Sequence, residues 1–93
     1  MTEQQPTAIT IPGHVLVQTI GTGEAVMLNL ENESYFGLNA VASRMIEVLA
    51  SSETLDAAVE ILSHEYEVDP QTLLADIGEL VTELESRGLI TQD

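Results

Sequence analysis

At Asn39 the hydrophobic period of this chain changes, and that change constrains the fold more than any other feature of the 93 residues. Before it lie three short β-rich runs: HVLVQTI (14–20), EAVMLNLE (24–31) and SYFGL (34–38). In the second run Val26, Leu28 and Leu30 alternate with Met27 and Asn29, the two-residue period of a strand. The connections are Gly21-Thr22-Gly23 and Glu31-Asn32-Glu33. Links this short join antiparallel neighbours, because parallel pairs need a long crossover. The expectation is a three-stranded antiparallel β-meander.

After Asn39, itself a good helix N-cap, the spacing becomes helical. Val41, Ala42, Met45, Val48 and Leu49 form one stripe, and Ser51-Ser52 interrupts it. Thr54 is placed to cap a second helix carrying Leu55, Ala58, Val59, Leu62 and Tyr66. Asp69-Pro70 starts a third, with Leu73, Leu74, Ile77, Leu80, Val81 and Leu84 on one face. Gly88 is expected to end that helix in the left-handed conformation, with Leu89 closing onto Leu84. Strands followed by helices imply an α+β domain of order βββααα, helices on one face of a small sheet. Residues 1–9, polar and containing Pro6, are expected to be a flexible tail ahead of a single domain over residues 10–91; the final Thr91-Gln92-Asp93 is expected to be loose.

Composition narrows the function classes. There is no cysteine, so no disulfide framework and no thiolate metal site, which fits a reducing compartment. No apolar run approaches the roughly 18 residues of a membrane helix, and no charged-then-apolar leader opens the chain. The expected setting is cytoplasmic. Sixteen acidic residues face two arginines and no lysine, for a net charge of −14. Phosphate backbones and anionic membranes repel such a surface, so neither nucleic acid nor membrane is an expected partner. A neutral or cationic partner is favoured and would be steered in at long range.

Catalytic signatures are missing. His14 and His64 are the only histidines, and His64-Glu65 is not followed by the second histidine of a zinc helix motif. No metal site and no cofactor are expected. There is no nucleophile elbow, P-loop or dinucleotide fingerprint, and Gly21-Thr22-Gly23 reads as a hairpin turn. Asp76, Glu79 and Glu83 read as a solvated helix face. An acyl carrier would need a serine in an Asp-Ser-Leu context opening a helix, which the sequence does not contain. No set of nucleophile, base and orienting group exists, so no enzyme is expected.

Binding remains. The third strand is an expected sheet edge, with no proline or lysine to blunt it and no later strand to cover it. An extended peptide can add to such an edge; an edge protected only by its shortness is the other reading. By alternation Phe36 and Leu38 should lie under the helices and Tyr35 on the outer face, while Gly37 permits close backbone approach.

The segment AVMLNLENESYFGLNAVASRMIEVLA (25–50) resembles the PqqD-like family. The shared pattern is an apolar strand ending in Leu-Asn, a short turn, Tyr-Phe-x-Leu-Asn and a helix. A second helix ending in Glu-Tyr-Glu-Val-Asp-Pro, a Leu-rich third helix containing Asp76 and a Gly-Leu-Ile finish agree, so the likeness spans about residues 14–91. The resemblance implies a winged helix-turn-helix-like domain that acts as a RiPP recognition element. Such a domain binds the leader segment of a ribosomally made precursor peptide. It further implies that the leader pairs antiparallel with the third strand, through Ser34, Tyr35, Phe36, Gly37 and Leu38. The groove wall would come from Leu73, Leu74, Asp76, Ile77, Leu80 and Val81 of the third helix. Leu73, Ile77 and Leu80 would line pockets, and Asp76 would pair with a basic leader residue. The implied second partner is a leader peptidase of the cysteine-protease type, as in lasso-peptide systems, or another biosynthetic enzyme. A chaperone of the quinone-cofactor (PQQ) type is the alternative within the family. A degenerate winged helix serving as a regulatory or structural module, dimerising through the same edge, is the alternative outside it. The third helix carries Asp76, Glu79, Glu83 and Glu85 and one arginine near its end, which disfavours the DNA-reading use of this fold.

Overall fold

The computed structural model describes residues 8–92. Its elements follow the order βββααα: β1 Val15–Ile20, β2 Glu24–Asn29, β3 Tyr35–Leu38, α1 Ala40–Ser51, α2 Leu55–Tyr66 and α3 Pro70–Ser86. The strands form one antiparallel sheet in the order β1-β2-β3, so β1 and β3 are both edges. Alternation sets the two faces. Ala25, Met27 and Leu38 are buried under the helices with Phe36 half-buried beside them, while Tyr35 points outward and is 67% exposed.

Each helix starts where its capping residue stands. The Asn39 side chain accepts from the Ala42 N–H at 2.8 Å, Thr54 from Ala57 at 3.1 Å, and Asp69 from Gln71 and Thr72 at 3.1 and 3.2 Å. These bonds satisfy amides that the first helical turn leaves without partners. The end of α3 is a Schellman stop. Leu89 N–H donates to the Leu84 carbonyl at 2.9 Å and Gly88 N–H to Glu85 at 3.0 Å, with Gly88 at φ +71°.

The core gathers Met45, Ile46, Val48 and Leu49 of α1, Ala58, Val59 and Leu62 of α2, and Leu73, Ile77, Val81 and Leu84 of α3. On α1 the inward stripe is rotated from the expected one: Ile46 is buried and Val41 is exposed. The stripe is wide enough to include Ile46, and Val41 falls in the first turn, beyond the core's margin.

The packed domain also begins earlier than expected. Ile9 is a core residue. Ala8 N–H donates to the Ser52 carbonyl at 2.9 Å, and Thr10 and Thr91 exchange bonds of 2.8 and 2.9 Å. An apolar residue inside a polar segment was the signal for this, and Thr91 is held rather than loose. The rest of the expected tail, residues 1–7, lies outside the described residues.

One ion pair pins α1 to α2. The Arg44 guanidinium meets the Glu65 carboxylate with Nε–Oε2 and Nη2–Oε1 distances of 2.9 Å, and also meets Glu47 on its own helix. Hydrogen bonding to Arg44 holds the Glu65 carboxyl below its usual range, and the pair raises the Arg44 pKa. A depressed carboxylate contributes stability above its unfolded pKa and loses it as pH falls through the folded value. The melting temperature of Arg44→Gln should therefore lie slightly below that of the parent at neutral pH, the small effect reflecting an exposed pair. The gap should close below the ordinary carboxylate range; a gap that stays constant in acid would show that the pair contributes nothing.

Candidate functional site: the open edge of β3

Two hydrogen bonds fix which backbone groups of β3 face away from β2. Asn29 N–H donates to the Ser34 carbonyl at 2.8 Å, so this is a hydrogen-bonded pair. Such pairs alternate along an antiparallel ladder. The register sets Met27 opposite Phe36 and Ala25 opposite Leu38, so the main-chain groups of Phe36 and Leu38 face β2. Those of Tyr35 and Gly37 face the open edge. The other side of β2 agrees: Leu30 N–H donates to the His14 carbonyl at 2.9 Å, so even-numbered residues of β2 bond β1 and odd-numbered ones bond β3. A fourth strand would therefore pair through Tyr35 and Gly37. Ser34 is committed inside the turn, its N–H on the Asn32 side chain at 2.8 Å.

The α3 flank beside this edge is marked by Arg87. Its guanidinium lies 5.1 Å from the centroid of the Phe36 ring and its Nε meets Glu83 Oε2 at 2.7 Å. Residues three, four and seven apart share a helix face. Asp76, Leu80, Glu83 and Arg87 thus form one flank, with half-buried Leu80 and Phe36 at the margin of the core. The flank is acidic at Asp76 and Glu83, and it meets β3 where the Arg87 guanidinium stacks over the Phe36 ring.

The end of α3 is tied to the start of β3 by Asn29, whose side chain is buried (residue exposure 3%). Its Nδ2 donates to the carbonyls of Gly88 at 3.0 Å and Arg87 at 3.4 Å. Its Oδ1 accepts from the backbone N–H of Glu31 at 2.9 Å and of Asn32 at 3.4 Å. Asn29 therefore holds the β2–β3 turn and the helix stop in one geometry, and so positions Arg87 against Phe36.

A family model, Coenzyme PQQ synthesis protein D (PqqD), matches residues 24–90, well over half of the chain. The chain belongs to the PqqD family. No curated protein matches it. Among solved structures, TbiB1 in complex with the TbiA(beta) leader peptide is 31% identical to this PqqD-family chain. That match covers 87% of this chain and 93% of the other, with a TM-score of 0.78. A lasso peptide synthetase B1 complexed with the leader peptide is 25% identical, covering 89% and 96%, also with a TM-score of 0.78.

The residues expected to bind fall in different places in this PqqD-family domain. Tyr35, Phe36 and Gly37 lie on the β3 edge, and Ser34 lies in the turn before it. Asp76 and Leu80 share the α3 flank that ends at Arg87, with Leu80 at the margin of the core. Leu38, Leu73, Ile77 and Val81 are buried in the core. Leu74 is exposed on another flank of α3, where with Ile9, Leu49, Leu55, Gly78 and Val81 it lines a separate cleft of about 160 Å³. Two positions were not anticipated. Arg87 was reachable by extending the Asp76–Leu80 stripe two turns. Asn29 stood in the quoted Leu-Asn strand ending, but a polar strand residue gave no hint of contacts 58 and 59 positions away.

Proposed function

We propose that this PqqD-family chain is a RiPP recognition element of the lasso-peptide type. It is a non-catalytic adaptor that takes the leader segment of a ribosomally synthesised precursor peptide as a fourth strand on β3 and presents it to a leader peptidase. The observation that carries this reading is the β3 edge itself. Two residues, Tyr35 and Gly37, direct their main-chain donors and acceptors away from β2, which is the geometry of strand addition. The two leader-peptide complexes that share the fold support the same use of it, and the lasso peptide synthetase B1 among them favours the lasso pathway over a PQQ chaperone. The net charge of −14 suits a leader that is neutral or basic near Asp76 and Glu83.

Titrating a fluorescently labelled leader peptide from the cognate precursor with the chain tests the proposal. Saturable binding with a Kd at or below about 10 µM, close to −7 kcal/mol, is expected. A flat anisotropy trace well above that concentration would refute it.

A further inference from the structure

Main-chain pairing alone leaves the register of an added strand open. β3 turns only Tyr35 and Gly37 outward, and a strand that slips by two residues finds the same donors and acceptors. On the other edge of the sheet, Val17 and Thr19 of β1 turn the same groups outward, so free backbone groups do not by themselves select a sequence. Selection then falls to a side chain beside β3.

Arg87 has the donors for it. Arg44 and Arg87 are the chain's only Lys/Arg side chains. Arg44 is fully engaged: its Nε and Nη2 bond Glu65 and its Nη1 bonds Glu47, one guanidinium between two carboxylates. Arg87 repeats half of that arrangement. Its Nε bonds Glu83 Oε2 at 2.7 Å, and among the described residues its Nη1 and Nη2 donate to no acceptor. Stacking over Phe36, 5.1 Å from the ring centroid, holds the guanidinium beside the strand. The main chain of Phe36 faces β2, so toward an added strand it is a non-hydrogen-bonded position. Facing residues come closest at such positions, with Cα atoms about 4.5 Å apart. The leader residue across from Phe36 points to the same, helix-side face of the sheet. Its side chain arrives beside the Phe36 ring and the unpaired edge of the Arg87 guanidinium.

We propose that Arg87 sets the register of the leader by pairing, through its two Nη groups, with an Asp or Glu of the leader that sits across from Phe36. The proposal rests on the adaptor reading above and deepens it by naming the leader residue that the site selects. A carboxylate matches the planar donor fork of a guanidinium. Arg44 shows that a guanidinium of this chain holds two carboxylates at once. The net charge of −14 disfavours an acidic leader residue elsewhere on the surface, so the same residue is attracted in one register and repelled in a slipped one. A leader that is neutral or basic over most of its length and acidic at this one position fits both the whole surface and Arg87.

The test is a double-mutant cycle read by anisotropy. The labelled cognate leader, with each Asp and Glu replaced in turn by its amide, is titrated with the parent, Arg87→Gln and Arg44→Gln. Both Arg87 variants used here, Arg87→Gln and Arg87→Lys, keep the backbone carbonyl that Asn29 holds, so the fold is at little risk. At one leader position the amide should cost about tenfold in affinity for the parent and less than about twofold for Arg87→Gln, because the partner is already gone. Arg87→Gln should itself bind the unsubstituted leader about tenfold more weakly than the parent, and Arg87→Lys, which keeps the charge without the fork, should fall between them. Arg44→Gln, which removes the same charge from a guanidinium with no spare donor, should bind within about twofold of the parent. Additive losses from Arg87→Gln and every leader amide would overturn the proposal, as would a leader with no acidic position whose replacement weakens binding. An equal loss in Arg44→Gln would also overturn it, by reducing the effect to overall charge. A parent that binds no leader would overturn the adaptor reading, and this pairing with it; leader binding without coupling to Arg87 overturns the pairing alone.

Discussion

Replacing Gly37 by proline should lower leader affinity at least about tenfold while leaving the fold intact. The Gly37 N–H faces the open edge, so proline removes no bond of the β2–β3 ladder. An added Cβ at this position meets nothing within 4 Å. Phe36, the residue before it, is already extended, as proline requires. In the complex, the same change deletes a main-chain donor, costing about 0.5–1.5 kcal/mol, and puts a ring where the leader backbone must lie. Leu38→Pro is the instructive contrast. Leu38 is four residues, two periods of the alternation, from Ser34; its main chain faces Ala25 of β2, and its side chain is in the core. That variant should lose its cooperative melt. Leader affinity unchanged in Gly37→Pro would place the peptide elsewhere.

Asn29→Ala should destabilise the domain by about 2–4 kcal/mol, the range for breaking a buried hydrogen-bond network. For a domain of this size that is a fall of roughly 10–25 °C in melting temperature. The change strips partners from the carbonyls of Arg87 and Gly88 and from the turn amides of Glu31 and Asn32 at once. Gly88→Ala should approach the same result from the other side. Its Cβ would lie 2.8 Å from Asn29 Nδ2, and φ +71° is strained for any residue with a Cβ. A loss below about 0.5 kcal/mol in Asn29→Ala would show that the tie between the turn and the helix stop is not structural.

Most of the fold was legible because its determinants are local. The change of period at Asn39, the three caps and the Schellman stop each depend on residues within a turn of one another, and each is observed. The departures come from long-range packing. Ile9 looks like tail sequence because its partners lie near residues 52 and 91, far along the chain. The site was legible as an edge strand beside an amphipathic helix, but the helical stripe does not declare its own centre. Leu73, Leu74, Ile77, Leu80 and Val81 are equivalent as letters. Where the remaining elements fall decides that Leu73 and Ile77 are core, that Leu80 sits at the core's margin and that Leu74 shares a cleft with Ile9. Backbone direction is likewise invisible in sequence alone. The register and the Asn29–Ser34 bond were needed to single out Tyr35 and Gly37 from their neighbours.

Residue-resolved amide hydrogen exchange, with and without saturating leader peptide, tests the central claim most directly. Before leader is added, the amides of Phe36 and Leu38 should already be protected by β2, and those of Tyr35 and Gly37 should exchange freely. On binding, Tyr35 and Gly37 should become protected while Val17 and Thr19 stay as they were. Bound leader that leaves Tyr35 and Gly37 exchanging freely, or that protects Val17 and Thr19 instead, would contradict the account.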